Sequence, residues 1–394
     1  MALKEEDLRF IQQRIHELTE KGLYRKLRRV EGEQSHRIKI EGREVIQFSS
    51  NNYLGLASHP RLKEKVVKIV EQYGCGSGAS RLVSGNLDLY EELEERLARL
   101  KNTPSALVFN SGYLANLGVI PSLMQEGDAI FSDELNHASI IDACRMSRAE
   151  IAIFRHRDAD NLEDLIRKTK GRKKLIVTEG VFSMEGDIAP LPDLVRIAER
   201  YSALLMVDDA HATGVLGEKG SGTVEHFGLE GRVDIQMGTL SKALGGFGAY
   251  IAGDQELRDY LINTARSFIF TTALPPAVLA SGIAALEVIE EEPGLRKRLW
   301  ENVLLFKPRI QALGFQITNT ETPIIPVIIG DPQLTLQMAD MLLDEGIFIQ
   351  AIRPPAVPED TSRLRIALMA THSVDELELA LHALEKVGRK LGVI

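Results

Sequence analysis

The chain has 394 residues, of which 44% are hydrophobic and 26% charged, a balance that suits a soluble globular protein with a large core. Its net charge of -9 argues against a general nucleic-acid or anionic-membrane binder. The 2 cysteines, Cys75 and Cys144, are far apart with no CxxC, so neither a disulfide framework nor a metal site is expected. The acidic start, Met1 to Asp7, lacks the apolar core of a signal peptide. No run approaches the roughly twenty apolar residues that span a bilayer, so a reduced cytoplasm is the expected location.

Leu8, Ile11, Ile15 and Leu18 recur at helical spacing and predict an amphipathic helix over residues 4–20. The basic run Lys21 to Arg29 reads as a solvated face, and Ile38 to Phe48 alternates like a hairpin around Glu41-Gly42-Arg43. In the polar loop Phe48 to Leu56, Asn51 suits either a turn or an amide donor to a carboxylate. Gly74-Cys75-Gly76-Ser77-Gly78 follows a helical pattern, Leu62 to Tyr73, and is not GxGxxG, so a dinucleotide site is excluded there. Ala106 to Phe109 is a short buried strand, followed by Asn110-Ser111-Gly112-Tyr113 and a helix from about Leu114. Such a strand–turn–helix aims backbone N–H groups at an anion, although an ordinary turn has the same look. His137 follows the strand Ala129 to Phe131; Glu179 to Asp187, with Ser183, follows the strand Lys174 to Thr178.

After a helix over 192–201 comes the apolar run Leu204 to Val207, ending in Asp208-Asp209-Ala210-His211. It reads as a buried parallel strand with two carboxylates and an imidazole at its carboxyl end, where open α/β sheets bind ligands. A loop of about thirty residues is then expected, leading to Thr239-Leu240-Ser241-Lys242-Ala243-Leu244-Gly245-Gly246. The paired glycines would let a bulky planar group approach the backbone. A lysine able to form a Schiff base and a carboxylate at a strand end are the pair that pyridoxal phosphate chemistry needs. Ala249 to Ala252 is a further strand, and Phe268 to Pro276 precedes helices from about 276 to 312 that break at Pro293 and bend near Pro308. The C-terminal part predicts strands over 324–329, 347–352 and 364–369 and a helix over 334–343. A last helix is capped by Ser373 and Glu376. Arg363 and Arg365 share a strand face, so at least one is placed to clamp a carboxylate.

The stretches Val207 to Gly214 and Gly238 to Lys242 closely resemble the α-oxoamine synthases, which are fold-type-I pyridoxal phosphate enzymes, and the likeness covers nearly the whole chain. It implies an α/β fold: a mainly parallel central sheet with helices on both faces, plus a smaller C-terminal α/β domain. The expected division is an N-terminal helix and arm (1–50), a large cofactor-binding domain (51–288) and a small domain (289–394). The resemblance places pyridoxal 5'-phosphate on Lys242, with Asp208 at its ring nitrogen, His137 stacked on the ring and Ser183 and His211 near its hydroxyl. Gly112, Tyr113 and Thr239 complete the cofactor site. Thr271 and Thr272 would reach the phosphate of a partner subunit, which implies a homodimer with shared sites. Lys242, His137, Asp208 and His211 are the implied catalytic set. Arg25, Asn51, His137 and Arg365 would contact substrate. Ala356 stands where related synthases carry a threonine, so a hydroxyl contact is lost there. Within the family, Arg81 to Asn86 and Ala351 to Pro355 point to the branch that joins L-alanine to an acyl thioester; a branch using glycine and acetyl-CoA is the near alternative. A non-catalytic ligand sensor fused to a DNA-binding module is disfavoured, because the basic patch lacks a recognition-helix pattern.

Overall fold

The computed structural model describes residues 4–394. Among these residues the chain builds three sheets, and the largest, of seven strands, carries the candidate site. Across it lie Ser105–Phe109, Ala249–Gly253, Ile235–Thr239, Leu204–Asp208, Lys174–Glu179, Ala129–Asp133 and Glu150–Phe154. Ala249–Gly253 is antiparallel to both neighbours, and the five strands from Ile235–Thr239 onward pair in parallel. The inner strands are buried on both faces, which is why most of them read as unbroken apolar runs. One face packs Met206, Ile235 and Met237 against the Gly112–Leu123 helix. Leu205 and Val207 turn the other way, to the Leu191–Arg200 helix.

Several expectations need correction. The stretch between His211 and Thr239 is not one loop: it holds a helical turn, Thr223–His226, and the strand Ile235–Thr239. Gln236 and Gly238 interrupt the apolar run of that strand, yet every one of its residues is buried. Residues 347–352 do not form one strand. Ile347–Phe348 pairs in parallel with Ile46–Gln47, while Ala351–Ile352 pairs antiparallel with Arg363–Leu364 in a different sheet. The elements absent from the sequence reading include the edge strand Glu150–Phe154 and the helices Asp88–Lys101, Ala138–Ser147, Ala159–Lys168 and Gln255–Thr264.

The predicted hairpin forms from Arg37–Ile40 and Arg43–Gln47, and Ile347–Phe348 from the far end of the chain extends its sheet. Ile324–Gly330, Ser362–Ala367 and Ala351–Ile352 form the third sheet. The Val374–Leu391 helix begins with the predicted capping box, Glu376 N–H donating to Ser373 Oγ and Ser373 N–H to Glu376 Oε2. Glu376 also takes the Arg37 guanidinium at 2.6 Å, tying the hairpin to this helix. Pro276–Glu291 and Gly294–Ala312 separate at Pro293 as expected, with Pro308 inside the second helix.

Beneath the carboxyl edge lies a completely buried ion pair. Lys101, at the end of the Asp88–Lys101 helix, donates to Asp209 Oδ2 at 2.9 Å, and neither side chain is exposed to solvent. Burial opposes charge on Lys101, but Asp209 together with Tyr250 and Glu225 outweighs it, and the Lys101 pKa is raised. Thr223 supplies both its N–H and its hydroxyl to the same carboxylate, and Lys101 also reaches the Ser221 carbonyl. The chain between them bends through Gly222 at φ 125°, where a Cβ would lie 2.1 Å from Asp209 Oδ2. Removing the cation strands a buried charge, so Lys101→Met should lower stability by about 3–5 kcal/mol in urea denaturation. Adding Asp209→Asn should recover part of that loss. A single-variant loss below about 1 kcal/mol would show that the pair holds little.

Candidate active site

The carboxyl ends of the parallel strands open into a cavity of about 380 Å³. It is lined by Asn51, Gly112, Tyr113, His137, Ser183, Asp208, His211, Thr239, Lys242 and Arg365, all anticipated from the sequence. Register assembles them: Glu179 stands opposite Asp208, and Asp208 opposite Met237, on three adjacent strands. Lys242 lies in the turn that joins Ile235–Thr239 to Ala249–Gly253. The glycines after it serve packing rather than a ligand, since a Cβ on Gly245 (φ 67°) would strike the Ala57 backbone at 2.3 Å and neither glycine lines the cavity.

A buried polar network fixes the acidic wall. Asn116 Nδ2 donates to Asp208 Oδ2 at 3.0 Å and to Ser139 Oγ at 2.9 Å, while the Ala210 N–H donates to Asp208 Oδ1 at 3.0 Å. Ser139 Oγ lies 2.8 Å from His137 Nδ1, which also accepts the Ser139 N–H at 3.2 Å. Nδ1 of His137 is therefore an acceptor, and the proton of the neutral ring sits on Nε2. Burial lowers the His137 pKa; Asp208 opposes this and Lys242 reinforces it. Burial raises Glu179 well above the usual carboxylate range, Asp208 adds to the shift, and Lys242 only partly offsets it. Lys242 is brought down to about 8, burial outweighing the attraction of Asp208 and Glu179.

The opposite wall comes from both ends of the chain. Arg365 Nη1 donates to Asn51 Oδ1 at 3.1 Å and its Nε to the Ser183 carbonyl at 2.6 Å. Arg363, on the same strand, is turned to Glu185 and the Met184 carbonyl, so Arg365 is the arginine that faces the cavity. His211 Nδ1 lies 2.7 Å from the Tyr53 hydroxyl, a partner the sequence reading did not single out. The other sequence-derived residues lie outside the cavity. Arg25 is exposed and reaches the Pro354 carbonyl at 3.4 Å, placing it on the loop that also carries exposed Ala356. Thr271 and Thr272 take the Asn110 amide at 3.2 and 2.8 Å. Tyr53, Asn116 and Ser139 escaped the sequence reading, although each lies within five residues of one it named.

The donor set fits pyridoxal phosphate. Ser111 Oγ caps the Leu114 N–H, leaving the first helical amides, Gly112 and Tyr113, without an intrahelical acceptor and suited to a phosphate. Asp208 offers a fixed carboxylate to a protonated ring nitrogen, and Lys242 an amine to the aldehyde.

The chain matches the family aminotransferase class I and II over residues 43–384. It is 54% identical to the 8-amino-7-oxononanoate synthase of Geobacter sulfurreducens over 383 residues, 96% of this chain and 98% of that protein. The enzyme of the same name from Thermoanaerobacter pseudethanolicus is 50% identical over 390 residues, 98% of this chain and 99% of that protein. Among solved structures, S. paucimobilis serine palmitoyltransferase with a bound PLP–myriocin aldimine gives a TM-score of 0.94 at 32% identity, covering 100% of each chain. The 8-amino-7-oxononanoate synthase from Francisella tularensis gives 0.77 at 32% identity, over 89% of this chain and 99% of that one.

The depressed Lys242 pKa can be read directly. In cofactor-free protein, the rate of Lys242 modification by an amine-reactive reagent, followed by peptide mass spectrometry, should rise through pH about 8. Ordinary surface lysines should rise near 10.4 (about). A midpoint for Lys242 at the ordinary value would mean that the pocket does not desolvate it.

Proposed function

The chain belongs to the aminotransferase class I and II family, within its α-oxoamine synthase group, and we propose that it acts as an 8-amino-7-oxononanoate synthase. It condenses L-alanine with a pimeloyl thioester, releasing CO2 and the thiol, a step of biotin biosynthesis. The observation that carries this reading is the convergence of Lys242, Asp208 and the Asn51–Arg365 pair on one cavity, in a chain 54% identical to a synthase of that name.

Bound pyridoxal phosphate supplies an electron sink for negative charge at the α-carbon of the amino acid. The residues of this chain do the rest. Gly112 and Tyr113 would hold the phosphate with their amides, and Thr239 lines the same cofactor cavity. Asp208, fixed by Asn116 and the Ala210 N–H, keeps the ring nitrogen protonated. Arg365 and Asn51 hold the alanine carboxylate. Lys242, largely neutral slightly above its pKa of about 8, takes the α-proton. His137, lining the same cavity with Nδ1 occupied by Ser139, would stack on the ring and has Nε2–H free to assist acyl transfer. His211, with Ser183 nearby, attends the ring hydroxyl. Arg25, hydrogen-bonded to the Pro354 carbonyl of the loop that carries Ala356, would border the path of the acyl chain.

A homodimer is the working unit in this reading. Thr271 and Thr272 sit beside Phe270, which is 72% exposed, and the Ala273 N–H bonds Ala79 O at 3.0 Å, bringing in the turn that carries Val83, 80% exposed. Two such apolar side chains facing solvent near a site support burial by a second copy that would receive the threonines. The free, exposed thiol of Cys75 supports a reducing compartment, the cytoplasm. Among the described residues, no helix is long and apolar enough to cross a membrane.

Borohydride treatment of the loaded protein should fix the cofactor covalently, with peptide mapping finding it on Lys242; an adduct on another lysine would overturn the assignment. Lys242→Ala should fold normally and lose at least about 10²–10⁴-fold in kcat, the usual reach of a positioned general base.

The acyl specificity is tested by thiol release with L-alanine or glycine against pimeloyl-CoA and acetyl-CoA, in the natural protein and in Arg25→Ala. Alanine with pimeloyl-CoA should be the best pair, and Arg25→Ala should cost it roughly 1.5–3 kcal/mol in kcat/KM while sparing acetyl-CoA. Preference for glycine with acetyl-CoA would move the protein to the acetyltransferase branch.

A further inference from the structure

We propose that Tyr53 is a positioning residue that sets the tautomer of His211 and joins it to the carboxylate-binding Arg365. The proposal deepens the synthase reading and rests on it for the role of His211 at the cofactor. Its geometry stands independently.

Tyr53 is 1% exposed and is held at both ends of its peptide unit, its N–H donating to Asn51 O at 2.9 Å and its carbonyl accepting from Ala370 N–H at 2.7 Å. Three polar atoms surround its hydroxyl: His211 Nδ1 at 2.7 Å, Asn51 Oδ1 at 3.4 Å and Arg365 Nη2 at 3.5 Å. The guanidinium can only donate, so it uses a lone pair of the phenol oxygen. That leaves one phenolic proton, which can go to His211 Nδ1 or to Asn51 Oδ1. Asn51 Oδ1 already receives Arg365 Nη1 at 3.1 Å and lies farther away, so the proton goes to His211 Nδ1. A neutral imidazole with Nδ1 as acceptor carries its single proton on Nε2, the nitrogen left for the cavity that His211 lines.

Each protonation state agrees with this direction. Burial holds the Tyr53 phenol above its ordinary pKa although Arg365 opposes it, so the proton stays available to donate. Burial, with the cations Lys242 and Arg365 nearby, keeps His211 well below the usual imidazole range and neutral. The opposite tautomer would turn a bare Nε2 lone pair toward the phenolate oxygen of pyridoxal phosphate, where two acceptors repel. Tyr53 would therefore make His211 a fixed donor to that oxygen when the cofactor is bound. The same hydroxyl braces Arg365, so the grip on the substrate carboxylate and the grip on the ring share one oxygen atom.

The test is the nitrogen NMR spectrum of the cofactor-free protein with ¹⁵N-labelled histidine at pH 7.5, in which His211→Gln identifies the His211 signals. The natural protein should show His211 Nε2 protonated and Nδ1 unprotonated, and Tyr53→Phe should lose that bias and give a mixture of tautomers. Loaded with cofactor, Tyr53→Phe should retain its fold by circular dichroism and lose roughly tenfold in kcat with L-alanine and a pimeloyl thioester, about one hydrogen bond. A protonated Nδ1 or a doubly protonated ring in the natural protein overturns the proposal, and needs no variant to fold. An unchanged His211 spectrum in Tyr53→Phe overturns it too. Absence of turnover by the natural protein with these substrates would instead refute the synthase reading and leave the tautomer result standing.

Discussion

Asp209, not its neighbour, is the residue on which the site rests. Consecutive residues at a strand end point to opposite faces. Once Lys101, Thr223 and the Ser221 turn lock Asp209 into the core, Asp208 has no choice but to face the cavity. A buried pair of this kind is weak evidence for stability, because desolvation of both charges offsets their attraction. It does confer register: a one-residue slip would put an unpaired carboxylate in the core and remove the other from the cavity. The main-chain N–H of Asp209, bonded to the Met237 carbonyl at 2.8 Å, carries the same register into the strand that leads to Lys242.

Above that foundation the cavity balances few charges. Two carboxyl groups and one amine share the acidic side, and burial drives both Glu179 and Lys242 toward their neutral forms. The two imidazoles are kept neutral as well, each with Nδ1 turned to a hydroxyl. Asp208 keeps two hydrogen-bond donors, which suit a carboxylate rather than an acid. The arrangement leaves Asp208 on one wall of the cavity and Arg365 on the other, so in the proposed reading the binding polarity is set before either ligand arrives.

The chemistry of the site was more legible in the sequence than its supports. Lys242, Asp208, His137 and His211 stand at the ends of short local patterns, and strands such as Leu204–Asp208 announce themselves because both faces are buried. Ile235–Thr239 is just as buried but carries Gln236 and Gly238, so hydrophobicity alone hides it. Glu150–Phe154 is hidden for the opposite reason: it is an edge strand with most of its residues at least partly in solvent. Asn116 and Tyr53 carry no local signal at all. Their meaning comes from partners 92 and 158 residues away, a separation that only the folded sheet closes.

The pairing of Ile46–Gln47 with Ile347–Phe348 and the contact of Asn51 with Arg365 have a consequence for how the chain is made. The chain must leave the ribosome as far as Ile347–Phe348 before the hairpin near the N-terminus meets the strand that completes its sheet. Until then the Asn51–Arg365 wall cannot form, whereas the strand ending in Asp208 and the turn holding Lys242 are already synthesised. Domains made earlier fold as units while synthesis continues. The half of the cavity built by Asp208 and Lys242 is thus made before the half built by Asn51 and Arg365 can close, so under the proposed roles the cofactor wall precedes the substrate wall.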